Sequence, residues 1–457
     1  MTTSATVARG DDLVPGHGDQ SYGVMHYDLD LAYRHLGNHL SGTATVDVVV
    51  HVATSSLTFD LYALRVTEVR VDGVRSSRWQ HRRGRLVVRF DTALPVGHRL
   101  TVAVRYAGTP RMVPGPDGEV GWEELSDGVL VAAQPYGAPS WFPCNDRPSD
   151  KATYRISVRA PSAYVVVANG SLTGRTSRAS TTTWVYDLRQ PMASYLATVQ
   201  IGRYVTTPVR GSAPDMVPVT IVHPPGRRAG VARAFARQGE MLTAFTALFG
   251  PYPFDTYTVV VTDDPLEIPV EAQTLSTFGS NFLRTDWDAE RLIAHELSHQ
   301  WFGNSVTAAR WRDIWLHEGF ACYAEWLWSE WRWSHDDGGS PAATHAATHW
   351  NRLRRLPQDL VLAQPDARTL FDDRVYKRGA LFLHAMRTTA GDTAFFAMLR
   401  EWAPDHRDAS VTTADFITYA AERLGSEVRP LADAWLYRSQ LLALPVRGPS
   451  VRSPGPG

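Results

Sequence analysis

Apolar and polar residues alternate along much of the first 205 positions. Leu57, Phe59 and Leu61 fall at every second place, Val69 and Val71 run into an Asp72-Gly73 turn, and Leu100, Val102, Val104 and Tyr106 alternate after Pro95-Val96-Gly97. A period of two puts such side chains on one face of a strand, and repeated turn signals predict a β-sandwich or a saddle-like, curved antiparallel sheet. Near Pro224-Pro225-Gly226 the period changes. Phe235, Met241, Leu242, Phe245 and Phe249 take helical spacings until Gly250-Pro251 stops them. One strand patch follows over 257–262, then helices are predicted over 287–304, 314–331, 375–390 and 413–424.

The resulting expectation is an α+β multidomain chain. It has a tail over 1–18, an all-β domain over 19–205, a mainly helical domain over 206–443 and a disordered tail over 444–457. The 457 residues suit two large domains. A 44% hydrophobic and 20% charged composition is that of a globular protein. Lys+Arg 46 against Asp+Glu 47 leaves a formal charge of -1, which provides no bulk field for nucleic acid or an anionic membrane, so neither is expected as a partner. No run approaches the roughly 18 to 20 apolar residues of a membrane span. Residues 1–10 have no apolar core of a signal peptide, so a cytoplasmic location is expected. The only two cysteines, Cys144 and Cys322, read as free thiols of a reducing compartment, with one inter-domain bridge as the alternative.

The chemistry is concentrated in the helix predicted over 287–304. His295-Glu296-Leu297-Ser298-His299 places two histidines four positions apart, on one helix face and one turn apart, where both imidazoles reach a single metal ion with Glu296 beside them. A catalytic zinc needs a third protein ligand and an open position for water. Glu318, in Trp315-Leu316-His317-Glu318-Gly319-Phe320-Ala321 near the start of the next helix, is the candidate. Glu325, seven positions on, shares its face and is either an acceptor for a ligand histidine or a solvated helix carboxylate. Two other features are read as structural. His345 and His349 repeat the spacing without a carboxylate context and suit a solvated helix face. Six tryptophans between Trp311 and Trp333 suit core packing.

These residues resemble the zinc aminopeptidases typified by aminopeptidase N and the leukotriene epoxide hydrolase, peptidase family M1, in a short two-domain form. The family pattern H-E-x-x-H, then eighteen residues, then E within W-L-N-E-G-F-A is matched by His295, Glu296, His299 and Glu318, with His317 in place of Asn. His299-Gln300-Trp301-Phe302-Gly303-Asn304 matches the continuation H-Q-W-F-G-N. Tyr376-Lys377-Arg378-Gly379 resembles Y-x-K-G, whose Tyr donates to the oxyanion. The signature G-x-M-E-N, whose Glu binds the substrate amine, is degenerate here, and Glu267 and Glu271 compete for it. Glu271 is chosen because Leu275, Thr277 and Phe278 keep the register of the strand that follows. Trp141-Phe142-Pro143-Cys144-Asn145-Asp146-Arg147-Pro148 resembles F-P-C-x-D-x-P, and Gln134 falls where the family carries a second amine-binding residue.

The resemblance implies a thermolysin-like catalytic domain with one zinc per chain, held by His295, His299 and Glu318. It implies Glu296 as base, Tyr376 as oxyanion donor, Glu271 and Gln134 on the amine, and peptides with a free N-terminus as substrates. Family members usually continue into a large helical domain, and about fifteen residues follow Leu442 here. A more open cleft is therefore expected. A zinc endopeptidase, or a catalytically silent binding module on the same scaffold, is the alternative. Side-chain preference and oligomeric state leave no mark on the sequence.

Overall fold

The computed structural model describes residues 11, 13–116, 118–209, 217–336 and 338–445. Its first domain is built on an eight-stranded sheet with the spatial order Ser171–Arg178, Thr181–Ala193, Lys151–Pro161, Tyr22–Arg34, His39–Val50, Arg99–Gly108, Arg65–Val71 and Val74–Ser76. All neighbours are antiparallel except Tyr22–Arg34 and Lys151–Pro161, which run parallel with Tyr27 opposite Tyr154. The predicted alternation holds in these strands. Leu100, Val102, Val104 and Tyr106 are buried, and the residues between them are not. A five-stranded sheet and a three-stranded sheet, the latter carrying Leu57 and Phe59, complete the domain.

The part of the expected leading tail that is described is folded. Val14 is buried, Gly18 N donates to Asp60, and His17 pairs with Asp146. Of the expected closing tail, residues 446–457 lie outside the described residues.

Among the described residues the second domain contains helices α1 (Arg228–Ala234), α2 (Gln238–Phe249), α3 (Trp287–Ser298), α4 (Trp315–His335), α5 (Ala342–Leu353), α6 (Asp373–Ala390), α7 (Asp392–Asp405), α8 (Thr413–Leu424) and α9 (Val428–Leu436). It also contains a five-stranded sheet where the sequence predicts a single strand patch. The order is Val205–Pro208, Val219–His223, Tyr257–Val261, Leu275–Phe278 and Val270–Ala272, with the three central strands parallel and both edge strands antiparallel to their neighbours. The expected boundary at 205/206 falls at the start of the first of these strands.

The predicted helix over 287–304 stops at Ser298. Gly303 has φ +125°, a conformation that glycine adopts without strain, and the turn folds back so that Phe302 O accepts from His299. Asp286 caps the start of α3 by accepting from Ala289 N at 3.2 Å. α4 and α6 cross with backbones touching. A Cβ on Gly319 would lie 2.8 Å from Gly379 Cα, and one on Gly379 would lie 2.7 Å from Gly319 Cα. This crossing gives the glycines of both motifs their physical reason, and it brings the start of α6 over the helix pair. Trp311, Trp315, Trp326 and Trp328 are core residues as expected, while Trp333 is exposed. Both cysteines are free and buried, so the bridge alternative is not realised. No described helix is long and apolar enough to cross a membrane.

Candidate active site

A cleft of about 940 Å³ runs along α3 and is lined by His295, Glu296, His299, Glu318, Glu271, Gln134 and Tyr376 together. Every residue singled out for the reaction from the sequence therefore faces one space. His295 and His299 project from one face of α3, and Glu318 returns to them from the first turn of α4. Glu318 Oε2 stands 3.4 Å from His295 Nε2 and 3.6 Å from His299 Nε2. One donor atom from each of the three residues lies within 4.8 Å of the others.

The other ring nitrogens fix the tautomers. His295 Nδ1 bonds to Glu325 Oε1 at 2.8 Å, and His299 Nδ1 donates to Phe302 O at 3.0 Å. Their Nε2 lone pairs are then aimed at a carboxylate, and a cation must lie between: a proton or a metal ion. Without a metal, burial lowers the His295 pKa, but Glu318 and Glu325 outweigh it and bring it to about 10, whereas burial takes His299 down to about 4. The cavity demands positive charge. Bond lengths of about 2.0 to 2.1 Å to a tetrahedral zinc separate its ligand atoms by about 3.3 Å, close to the spacing found. The three residues therefore fit the ion. Two imidazoles and one carboxylate facing an open cleft match the donor set of a catalytic zinc site, whereas structural sites are closed by four protein ligands.

Glu325 is not a solvated carboxylate. It is buried, with Arg291 at 3.2 Å and Lys377 at 3.8 Å on its second oxygen. Burial alone would raise its pKa, but Lys377, His295 and Arg291 hold it down at about 2. Glu296 is buried with Oε2 lacking any partner among the described residues, and burial raises its pKa to about 8. That is an unsatisfied acceptor on a residue of the cleft wall. Burial, with Glu318 and Glu296 adding to it, also raises Glu271 well above the carboxylate range. Glu271 sits in the edge strand and is buried, while Glu267 is exposed at the rim. Gln134 has a buried Nε2 without a partner among the described residues. Tyr376 lies in the first turn of α6, half-buried, its ring 6.1 Å from that of His295.

Two substitutions in the motifs have structural explanations. His317 accepts from Ala308 N at 2.6 Å and stacks on Tyr195, so it braces the loop between α3 and α4. Arg378 donates to the carbonyls of Leu360, Arg438 and Ser439 and pins the segment after α9. His345 and His349 are not a solvated face. His345 bonds to Ser329, His349 stacks on Trp326 at 5.3 Å, and both line the far wall of the cleft. Nothing in the sequence around them signals that wall, because it forms only when α5 packs on α4.

The Peptidase M1 N-terminal domain model matches residues 24–196, and the Peptidase family M1 domain model matches 233–435. An M1 zinc metallopeptidase from Deinococcus radiodurans is 31% identical, with a TM-score of 0.88 over 96% of this chain and 99% of that one. A mutant M1 zinc metallopeptidase from the same organism, bound to a Tyr-Ser-Ala substrate, is 30% identical with the same TM-score and coverage. Aminopeptidase 2 of Candida albicans is 24% identical over 436 residues, which is 90% of this chain and 46% of that protein. The chain thus spans about half the length of such curated relatives. The chain belongs to peptidase family M1, the zinc metallopeptidases.

Proposed function

We propose that this protein is a zinc aminopeptidase that removes the N-terminal residue of peptides. The observation that carries the reading is the buried carboxylate of Glu271 lining the same cleft as the donor triad His295, His299 and Glu318. A buried carboxylate is costly unless a cation meets it, and a peptide's free ammonium is the cation that the reaction brings. The relatives named aminopeptidase and the tripeptide on the Deinococcus enzyme support the substrate class.

In this reading His295, His299 and Glu318 hold the metal, with His295 oriented by Glu325. A zinc ion held there supplies Lewis acidity, which lowers the pKa of a water and polarises the scissile carbonyl. Glu296 takes the proton from the attacking water and passes it to the departing amine. Its raised pKa puts that exchange near neutral pH. The Tyr376 hydroxyl donates to the oxygen that gains charge, and burial keeps that phenol protonated. Glu271 and Gln134 bind the ammonium and set its distance from the reacting carbonyl. An endopeptidase would have no use for a carboxylate buried there.

The β domain over 19–205 contributes Gln134, and the domain over 206–443 contributes the rest. Two free buried thiols suit a reducing compartment, the cytoplasm. Mass spectrometry of a decapeptide digest tests the function. Products shortened one residue at a time from the N-terminus, with a chelator stopping the reaction, are expected. Internal fragments as the first products refute an aminopeptidase.

A further inference from the structure

Two polar side chains of the first domain cross the seam to grip backbone of the second, and neither belongs to the machinery described above. Lys151, at the start of its strand, donates from Nζ to the carbonyls of Ser305 at 2.7 Å, Asn304 at 3.1 Å and Ala409 at 3.3 Å. An ammonium has three N–H groups and no acceptor, so three carbonyls satisfy it fully. Asn169 is fully buried. Its Nδ2 donates to Gln273 O at 2.7 Å and to Leu196 O at 2.9 Å, and its Oδ1 accepts from Thr198 N.

The two turns held in this way flank Glu271. Its strand, Val270–Ala272, is three residues long, lies on a sheet edge and pairs on one side only, so its own ladder fixes it weakly. The support comes from the turns. Gln300 Nε2 and Asn304 Nδ2 both donate to Ala272 O, at 3.1 and 3.0 Å, immediately after Glu271. The turn that presents Asn304 is the one that Lys151 holds. On the other side, Thr274 has φ +68°, a strained conformation for a β-branched residue. It is kept there by Gln300 Oε1 accepting from its N–H and by Gly170 N donating to its hydroxyl, next to the carbonyl that Asn169 grips.

We propose that Lys151 and Asn169 are positioning residues for the substrate's amine. By fixing the turns 303–305 and 272–275 they set the distance from the Glu271 carboxylate to the metal donors, so the first domain determines where the peptide's N-terminus stops. The proposal rests on the reading of Glu271 as the amine anchor. It gives the β domain a part in the reaction beyond supplying Gln134.

The test compares the zinc-loaded full chain with Lys151→Met, Lys151→Arg and Asn169→Asp. Zinc content, kcat and KM on an aminoacyl fluorogenic amide, and the kcat/KM ratio between free and N-acetylated forms of one peptide are measured. Lys151→Met and Asn169→Asp should keep their zinc, raise KM about tenfold with kcat within about threefold, and lower the free-to-acetylated ratio about tenfold. Lys151→Arg, which keeps donors at the carbonyls, should recover part of the loss. If Lys151→Met does not fold, Asn304→Ala cuts the same link at Ala272 and is measured instead. Variants that only melt earlier, with KM and the ratio within about twofold of the parent, overturn the proposal. A parent enzyme with no preference for the free amine overturns instead the reading on which it rests.

Discussion

Glu325→Gln isolates the electrostatic support of the metal site from its ligands. In the native protein a carboxylate accepts the His295 Nδ1 proton at 2.8 Å, while Arg291 and Lys377 face its other oxygen. A charge-assisted hydrogen bond contributes about 1.5 to 3 kcal/mol and a neutral one about 0.5 to 1.5, so replacing the carboxylate by an amide of the same shape removes roughly 1 to 1.5 kcal/mol. The imidazole also loses basicity, and zinc affinity should fall by about 10 to 100-fold. Arg291 and Lys377 lose their partner in both the zinc-bound and the zinc-free protein. That effect lowers the melting temperature of both forms and largely cancels in the binding constant. Competition against a chromophoric chelator gives the zinc Kd, and the thermal midpoint of the apo form serves as the control. A folded variant with zinc affinity within about twofold of the parent would falsify the argument that the Glu325 charge acts through His295.

Three further outcomes are expected. Tyr376→Phe should lower kcat by roughly 10² to 10³ with little change in KM, because the hydroxyl bond strengthens only as the oxygen gains charge; a KM effect alone makes Tyr376 a ground-state contact. Gly379→Ala should lower both stability and kcat, because the added methyl meets Gly319 Cα at 2.7 Å and forces apart the crossing that carries Tyr376; unchanged melting and turnover contradict this. Burial pushes Asp60 up to about 6 against the pull of Arg85 and His17. The fold therefore binds that proton more tightly than the unfolded chain, and the contribution is fully present below about pH 4 and lost as pH rises through 6, on the order of 3 kcal/mol. Urea unfolding of the parent against Asp60→Asn should show the difference shrinking over that window, and a difference that grows with pH has the sign wrong.

The proposed zinc donors were legible in the sequence because a helix converts a spacing of four into one face, and Glu318 followed from the motif context. Glu271 was separable from Glu267 only through the register of Leu275 and Phe278, and the structure buries the first and exposes the second. The sheet of the second domain escaped notice for a physical reason. Val219–His223 is five residues long and almost wholly buried, and its apolar and polar residues fall out of strict alternation, so it carries no clear strand period. The helix break after Ser298 was hidden because His299-Gln300-Trp301-Phe302 contains no helix-breaking residue before the chain turns at Gly303. Lys151 and Asn169 gave no signal at all. Their partners in the second domain lie more than a hundred positions away, and only the docked domains bring them together.

The central claim is that Glu271 turns a general zinc site into one that reads a free N-terminus. The direct measurement is kcat/KM of the zinc-replete protein on one peptide with its amine free and the same peptide N-acetylated. Acetylation removes the charge that Glu271 and Gln134 receive, at a cost of roughly 1.5 to 3 kcal/mol, so the free peptide should be preferred by at least about 10 to 100-fold. Comparable values for the two, with cleavage inside the acetylated chain, would contradict the account and leave an endopeptidase in its place.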